Sequence, residues 1–363
     1  MLLSDVALRE GDQLPGREYA AEAKVECARA LDDLGVPFVQ PAFPASGEKD
    51  RSVVAELAGT TDAAVVGLAR AVEGDVDAAV DAGVDVVETF VPVSDLTLEH
   101  LMGASREEML AALMDAVEHA QDRGATVHVT LADAFRADVA DLVEVVDTIP
   151  SVPYVTLADT VGARTPETVA ATLDALAEDV DLSGVGVHFH DDLGCATANA
   201  LAAYRAGVGK ADVSVGALGE RAGNSALEEV VAACALEHDD DLGVDATALV
   251  PTCRQVLSTL EEGYGDRKAV LGERVYEHES PIHTATMLKE PAALEAYDPA
   301  SLGAQRRLVF GRSTGRSASR TLLERAGVDA DDDTVDAFRT ALAEHGPLDL
   351  DSALDLAADE FRE

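Results

Sequence analysis

Residues Gly184–Gly194 read GVGVHFHDDLG, and the fold of the chain is most easily predicted from this stretch outward. Its first half predicts a β-strand, in which residues two apart point the same way, so that His188 and His190 project from one face. Two imidazoles at the end of a strand suit a divalent metal, although an isolated pair of this kind is also compatible with two solvated histidines. The rest of the chain decides between these two interpretations.

Short apolar runs rich in β-forming residues alternate with amphipathic helical runs from residue 4 to about residue 238. This alternation is typical of βα units on a parallel sheet. The predicted strands are Ser4–Arg9, Pro37–Ala42, Ala63–Leu68, Val84–Val91, Thr126–Thr130, Tyr154–Leu157, Gly184–His190 and Ala211–Gly216. The predicted helices are Ala20–Leu34, Asp50–Ala58, Gly74–Ala82, Arg106–Arg123, Val139–Thr148, Pro166–Asp179, Ala196–Ala206 and Ala226–Glu237.

Eight such units predict an α/β fold in which the strands close into a (β/α)8 TIM barrel, with its active site at the carboxyl ends of the strands. The main alternative is an open, doubly wound sheet, which usually carries a Gly-x-Gly-x-x-Gly turn after its first strand. Here the first strand is followed instead by charged residues, in the run Leu8–Gln13 that reads LREGDQ. The barrel is therefore the favoured architecture.

Barrel closure would bring polar residues at the ends of strands one and seven into one mouth. Arg9 ends the first predicted strand and Glu10 follows it, and His188 and His190 lie at the end of the seventh. A carboxylate and two imidazoles can hold a divalent metal and leave positions open for substrate oxygens. Asn224, in the run GERAGN after strand eight, would add an amide oxygen at the same place. On their own, Arg9 and Glu10 would be read as a surface ion pair, so the metal-site hypothesis depends on closure.

The pattern changes after residue 240, where an acidic run precedes a mostly helical region. We therefore predict a catalytic barrel over residues 1–240 and helical C-terminal subdomains over 241–363. Residues 289–303 look loop-like, and the predicted helices that follow are Ala318–Ala326, Thr334–Glu344 and Leu350–Phe361. We expect this region to be too small and loop-rich for a rigid core of its own, and to drape over a barrel, its own or a partner's.

The composition is strongly acidic, with 69 Asp and Glu against 27 Lys and Arg and a formal net charge of −42. Such self-repulsion is relieved by salt, which predicts a halophile's protein, with an acidic mesophile protein as the alternative. The same charge argues against nucleic acid and anionic membranes as partners. Four scattered cysteines, no signal-like N-terminus and no apolar run of roughly 18 residues predict a cytoplasmic protein without a membrane anchor.

Five motifs occur in order along the chain: DVALREGDQLPG from Asp5, HFHDDLG from His188, GERAGN from Gly219, HESPIH from His278 and GRSTGR from Gly311. Together they resemble the acetyl-CoA-dependent synthases of 2-isopropylmalate, homocitrate and citramalate. That family belongs to the metal-dependent barrel superfamily that includes hydroxymethylglutaryl-CoA lyase and pyruvate carboxyltransferases. The resemblance runs from residue 4 to about residue 326, and the end near residue 363 leads us to expect no C-terminal leucine-feedback domain.

The resemblance implies a Claisen condensation, in which acetyl-CoA loses a methyl proton, the enolate attacks a 2-oxo acid and the thioester is hydrolysed. It implies a divalent metal, such as Mg, Mn or Zn, with Glu10, His188, His190 and Asn224 as ligands. It implies catalytic roles for Arg9, which would stabilise the oxyanion, and His283, which would assist proton transfer in the neighbouring subunit of a homodimer. The residues that the resemblance assigns to substrate binding are Gln13, Thr160 and Arg70.

The chain also departs from the family pattern. Glu10 stands where most members have aspartate, a change found in homocitrate synthases that favours 2-oxoglutarate as substrate. Against this, acidic, histidine and glycine positions of the family are occupied by Gln40, Ala132, Thr97 and Pro281. We therefore expect either an altered substrate or impaired turnover. Two alternatives remain, a lyase-type carbanion enzyme on the same metal barrel and a non-catalytic paralogue that keeps the fold.

Overall fold

Eight parallel strands close into a barrel in the computed structural model, which describes residues 1–362. They are β1 (Leu2–Asp5), β2 (Phe38–Ala42), β3 (Ala64–Arg70), β4 (Val86–Pro92), β5 (Thr126–Ala132), β6 (Val155–Asp159), β7 (Val185–Phe189) and β8 (Lys210–Val213). Each strand pairs with the next one along the chain, and β8 pairs back with β1 through Leu2–Asp5. The predicted (β/α)8 architecture is therefore confirmed.

The helices outside the barrel follow the predicted order. In the first part of the chain they are α1 (Ala7–Glu10), α2 (Ala21–Leu34), α3 (Glu48–Leu57), α4 (Glu73–Ala82), α5 (Asp95–Thr97), α6 (Arg106–Asp122), α7 (Val139–Thr148), α8 (Pro166–Leu176), α9 (Ala196–Ala206), α10 (Leu227–His238) and α11 (Leu249–Thr259). Helices α2, α4 and α9 each end at a glycine with positive φ, namely Gly35, Gly83 and Gly207. A left-handed glycine accommodates the turn that leads each helix back to the next strand.

The first strand is shorter than predicted, because Ala7–Glu10 form a helical turn and not the end of a strand. The Asp5 carboxylate accepts the Ala7 N–H at 3.0 Å, and the Glu10 N–H bonds to the Val6 carbonyl at 2.8 Å. When a side chain accepts the backbone N–H of the residue two positions later, the backbone leaves the extended conformation at that point. Arg9 and Glu10 consequently lie on a helical turn over the mouth of the barrel.

The chain divides into two compact units between Gly263 and Tyr264, later than the predicted position at residue 240. The reason is α11, which packs against α2 and so belongs to the barrel unit. Within the described residues, no helix combines the length and the apolarity needed to cross a membrane.

The second unit contains a short parallel pair, β9 (Glu277–His278) and β10 (Arg307–Leu308), and the helices α12 (Pro281–Met287), α13 (Arg316–Arg325), α14 (Asp332–His345) and α15 (Leu350–Phe361). The expectation that this region lacks a core of its own is wrong. Helix α13 packs against α14 and α15, and their apolar faces bury Leu322, Phe338 and Ala353 completely together with Phe310. Amphipathic helices that pack on one another can bury apolar area without a barrel to cover them.

Candidate active site

Three side chains meet at the carboxyl end of the barrel. Glu10 comes from α1, His188 from β7 and His190 from the residue that follows β7. One potential ligand atom from each lies within 4.8 Å of the others, and the Glu10 Oε1 to His188 Nε2 distance is 3.7 Å. All three are buried, with exposures of 3%, 7% and 7%. The structure therefore brings together the carboxylate and the two imidazoles that the sequence placed on separate strand ends.

Asn224 completes this cluster from the segment after β8. Its Nδ2 lies 3.1 Å from His188 Nε2, and the backbones of His190 and Asn224 form an antiparallel bridge. Its Oδ1 is buried and has no hydrogen-bond partner within residues 1–362. A buried amide oxygen without a partner is costly unless a cation or water meets it. Two imidazole nitrogens and a carboxylate fit a divalent metal with mixed ligands, and Asn224 would add its amide oxygen once its amide is turned so that Oδ1 replaces Nδ2 beside His188.

The electrostatics of the cluster favour the protonation states that ligate metal. Burial opposes ionisation of Glu10, but the Arg9 guanidinium and then the two histidines outweigh it and lower the pKa of this carboxyl. Burial, followed by the neighbouring His188, lowers the pKa of His190 to about 4. At neutral pH the carboxylate is thus ionised and the His190 ring neutral, and metal binding requires these forms.

Asp212 is a functional residue that the sequence analysis missed. Its Oδ2 lies 3.1 Å from His188 Nδ1, and because a carboxylate only accepts, the Nδ1 carries the proton and the Nε2, which accepts from Asn224 Nδ2 in this structure, holds the lone pair that a metal would take. Burial opposes ionisation of Asp212, but the Lys210 ammonium, 3.0 Å from Oδ1, outweighs it and lowers the pKa of the carboxyl. The sequence did contain a signal for this residue, because Lys210 and Asp212 place two opposite charges two residues apart within an apolar strand.

A cavity of about 170 Å³ lies beside the cluster and is lined by several of the predicted substrate-binding residues. Gln13, with its amide nitrogen turned to the carboxylate, donates to Glu10 at 3.1 Å and accepts from Arg9 at 3.3 Å. The Thr160 hydroxyl oxygen accepts the Asp133 N–H at 2.8 Å, which leaves its proton for another acceptor.

Two predicted site residues lie elsewhere. Arg70 does not line the cavity: its guanidinium donates to Asp75 at 2.7 and 2.9 Å, and its side chain is 61% exposed. His283 belongs to α12 of the second unit, where its ring is 5.9 Å from that of His278. The roles assigned to both residues stay predictions.

The departures from the family pattern have local structural accounts. Gln40 accepts from Arg9 Nε at 2.6 Å and donates to Glu88 at 2.5 Å, whereas Ala132 lines the cavity without a polar group. Thr97 shares a hydrogen bond of 2.8 Å with Ser94. Pro281 occupies the first turn of α12, where the missing N–H costs nothing.

Comparison with known proteins agrees with this geometry. The family model described as HMGL-like matches residues 1–256, and the model described as homocitrate synthase post-HMGL domain-like matches residues 270–346. The homocitrate synthase AksA of Methanopyrus kandleri is 39% identical over 339 residues, which cover 93% of this chain and 85% of that protein. The 2-isopropylmalate synthase of Methanocaldococcus jannaschii is 33% identical over 332 residues, covering 91% of this chain and 64% of that protein.

Solved structures share the barrel. An HMG-CoA lyase of Bacillus subtilis superposes with a TM-score of 0.65 at 20% identity, covering 73% of this chain and 95% of the lyase. The carboxyl transferase domain of Rhizobium etli pyruvate carboxylase gives a TM-score of 0.56 at 19% identity, covering 72% of this chain and 46% of that one. These likenesses concern the fold, whereas the two family models and the relatives cover nearly the whole chain. The chain belongs to the HMGL-like family, in its branch of acetyl-CoA-dependent acyltransferases that includes the homocitrate and 2-isopropylmalate synthases.

Proposed function

We propose that this enzyme condenses acetyl-CoA with a 2-oxo acid. One observation carries the proposal: Arg9, Glu10, His188, His190 and Thr160 line a single cavity at the carboxyl end of the barrel, where TIM-barrel enzymes have their active sites. In the reaction, the methyl group of acetyl-CoA loses a proton, and the resulting carbanion attacks the carbonyl carbon of the oxo acid. The carbonyl oxygen takes up the electron pair, and hydrolysis of the thioester releases the free thiol.

Each side chain at the cavity has a chemical task in this proposal. A divalent metal held by Glu10, His188, His190 and Asn224 would supply Lewis acidity toward the oxo acid. The Arg9 guanidinium would stabilise the negative charge that develops on the carbonyl oxygen. The Thr160 hydroxyl, whose oxygen already accepts the Asp133 N–H, would donate its proton to the substrate carboxylate.

We also propose that His283 assists proton transfer from a neighbouring subunit, in a homodimer. The support is its HESPIH motif and the match of residues 270–346 to a domain that follows the barrel in homocitrate synthases. A partly buried histidine is suited to this task, because imidazole is the side chain that most often serves as a general acid or base in enzymes. Mixing His283→Ala with Glu10→Ala subunits should restore part of the activity, since one hybrid site regains both groups. Absence of rescue despite demonstrated subunit exchange would refute the shared site.

The side chain of the oxo acid is proposed to be short and uncharged. The strands opposite the metal ligands contribute Leu68, Phe90, Thr130 and Ala132 to the cavity, together with the carboxylate of Glu88. Among the lining residues described, the only guanidinium is that of Arg9, and it already contacts Glu10 and Gln40. A distal carboxylate such as that of 2-oxoglutarate would therefore lack a counter-ion and would face Glu88. The lining of the cavity thus opposes the preference for 2-oxoglutarate that Glu10 suggests.

The deciding experiment is thiol release from acetyl-CoA, measured with Mn²⁺ or Mg²⁺ and a panel of 2-oxo acids. Turnover with at least one oxo acid supports the synthase. Cleavage of a preformed hydroxyacyl-CoA into an oxo acid and acetyl-CoA, without release of free thiol, would instead indicate a lyase-type carbanion enzyme. Oxo-acid binding without any turnover would indicate a non-catalytic paralogue.

We further propose that the enzyme works in the salt-rich cytoplasm of a halophile. The support is the net charge of −42 and the scarcity of lysine, because ordinary salt concentrations would leave such repulsion only partly screened. Activity that rises with KCl into the molar range is the expected observation.

A further inference from the structure

The interior of the barrel holds a buried ammonium group that the proposed reaction does not use. Lys210, the first residue of β8, is completely buried and crosses the barrel to Glu88 on β4, with 3.1 Å between Nζ and Oε1. The same ammonium lies 3.0 Å from Asp212 and 3.4 Å from the Thr156 hydroxyl. A buried charge is tolerated only when its partners compensate the loss of hydration, so the three charges form one unit.

One arm of this unit leads to the metal cluster. Asp212, two residues after Lys210 and on the same face of β8, is 4% exposed and accepts from His188 Nδ1 at 3.1 Å. Hydrogen bonds of this kind fix the ring orientation and the tautomer of a metal-binding histidine. Lys210 thus holds the carboxylate that orients His188.

The other arm leads to Arg9. The second oxygen of Glu88 accepts from Gln40 Nε2 at 2.5 Å, and Gln40 Oε1 accepts from Arg9 Nε at 2.6 Å. Gln40 and Glu88 are each 1% exposed. An amide can do this because it has a donor at one end and an acceptor at the other, whereas a carboxylate at position 40 would meet Glu88 with a second negative oxygen.

We propose that Gln40 and Lys210 are positioning residues, which hold Arg9 and His188 in their reactive orientations through Glu88 and Asp212. The chain of contacts runs from Arg9 through Gln40, Glu88, Lys210 and Asp212 to His188, and Glu10 closes it because it contacts both Arg9 and His188. Glutamine suits position 40, since its amide accepts from the Arg9 guanidinium and at the same time donates to the Glu88 carboxylate. The inference rests on the proposed function, because it assigns Arg9 and His188 their tasks from it.

A double-mutant cycle tests the arm to Arg9. Gln40→Glu should lower kcat about 10-fold to 100-fold, the range typical for loss of a positioning contact, because repulsion between the new carboxylate and Glu88 displaces residue 40 and the Arg9 guanidinium bound to it. In Gln40→Glu/Glu88→Gln the donor and acceptor are exchanged, so that the amide at position 88 donates to the carboxylate at position 40, which accepts from Arg9, while Lys210 still meets a carbonyl oxygen. The double variant should recover most of kcat, with the two changes coupled and not additive. Gln255→Glu, the same change at an exposed position, is the matched control and should leave kcat unchanged.

The arm to His188 is tested with Mn²⁺ alone, by electron paramagnetic resonance, well below the melting temperature of each variant. Lys210→Met should raise the Kd for Mn²⁺ about 10-fold to 100-fold, the usual cost of losing a group that orients a metal ligand. If this variant fails to fold, Asp212→Asn replaces it with the same expectation.

Additive losses in the Gln40 and Glu88 cycle, or Mn²⁺ affinity unchanged in a folded Lys210→Met or Asp212→Asn enzyme, would overturn the proposal. The Mn²⁺ measurement needs neither acetyl-CoA nor an oxo acid. It therefore remains decisive even when no oxo acid supports thiol release, the outcome that would refute the proposed function instead.

Discussion

The two sides of the active-site cavity differ in chemistry. The side formed around β7, β8 and β1 carries the buried histidines, carboxylates and guanidinium, of which Arg9, His188 and Asp212 are fixed by hydrogen bonds or ion pairs. The opposite side, from β3 to β5, presents Leu68, Phe90 and Ala132 to the cavity, and its polar lining residues are Thr130 and Glu88, which share a hydrogen bond of 2.8 Å.

On this basis we expect the charged side to carry the reacting groups and the apolar side to select the substrate. Three of the motifs shared with the acyltransferase family, those that begin at Asp5, His188 and Gly219, lie on the charged side, whereas Ala132, which departs from the family pattern, lies on the apolar side. One side can therefore keep the chemistry while the other changes the 2-oxo acid that fits, as loop and strand-end variation does in TIM barrels generally.

The largest expected effect comes from the charged side. His188→Ala and His190→Ala each remove one ligand, and we expect kcat to fall by a factor on the order of 10³ or more together with metal content. Elemental analysis after dialysis and thiol release measure the two quantities. His100→Ala, at an exposed position, is the control. Full activity in protein shown to be free of metal would contradict the metal hypothesis.

The fold and much of this charged side could be predicted from the sequence, because both follow from local patterns. Strand and helix periodicity predicts eight βα units, and residues that follow parallel strands must meet at one end of a closed barrel. The contact between Lys210 and Glu88 could not be predicted in this way. It depends on which strands face each other across the closed barrel and on which residues of each strand point inward, and the two residues are 122 positions apart in the sequence.

In the second unit the helices could be predicted from the sequence, but their packing could not. Its helices were predicted within a few residues, but its buried core was not, because short helices separated by loops look too polar to pack alone. The core arises from the way α13 meets α14 and α15, which no single helix reveals.

A smaller effect is expected from the apolar side, where substitutions should change substrate preference and leave metal binding intact. Leu68→Ala enlarges the cavity, so the ratio of kcat/KM for a longer unbranched 2-oxo acid over a shorter one should rise roughly tenfold. Competition between the two oxo acids in the thiol-release assay measures this ratio.

Leu101→Ala, which removes the same atoms from a leucine that is 72% exposed and lies outside the cavity, serves as the control for Leu68→Ala. If 2-oxoglutarate proved the best substrate of the unmodified enzyme, the proposal of a short, uncharged oxo acid would be wrong. The proposals for the charged side would be unaffected.

Salt should act on the surface and leave the buried network of the charged side nearly unaffected. Raising KCl from about 0.1 M to about 3 M screens repulsion among exposed carboxylates, and we expect the melting temperature to rise by several degrees. The Kd for Mn²⁺, corrected for ionic strength with a small chelator, should change far less. A melting temperature that stays flat or falls over this range would argue against the halophile proposal.

The last prediction concerns Asp5, the last residue of β1, which lies on the charged side. Its carboxyl is fully buried between the N–H groups of Ala7 and Val215, at 3.0 and 3.1 Å, and burial raises its pKa to about 7. Between about pH 4 and pH 7 the folded protein keeps this proton while the unfolded chain has lost it. The contribution of Asp5 to stability is thus present below the unfolded pKa and declines as pH rises toward 7.

Replacement by asparagine removes the titration, so the free energy of unfolding of Asp5→Asn relative to wild type should increase over this interval, by at most roughly 4 kcal/mol. Urea unfolding at a series of pH values, at constant salt, measures the difference. Asp122→Asn, at an exposed position, should show no such trend. A difference that is independent of pH would mean that Asp5 is ionised throughout, held by the two N–H groups. The charged side would then contain Asp5 as one more buried carboxylate, in place of a neutral carboxylic acid.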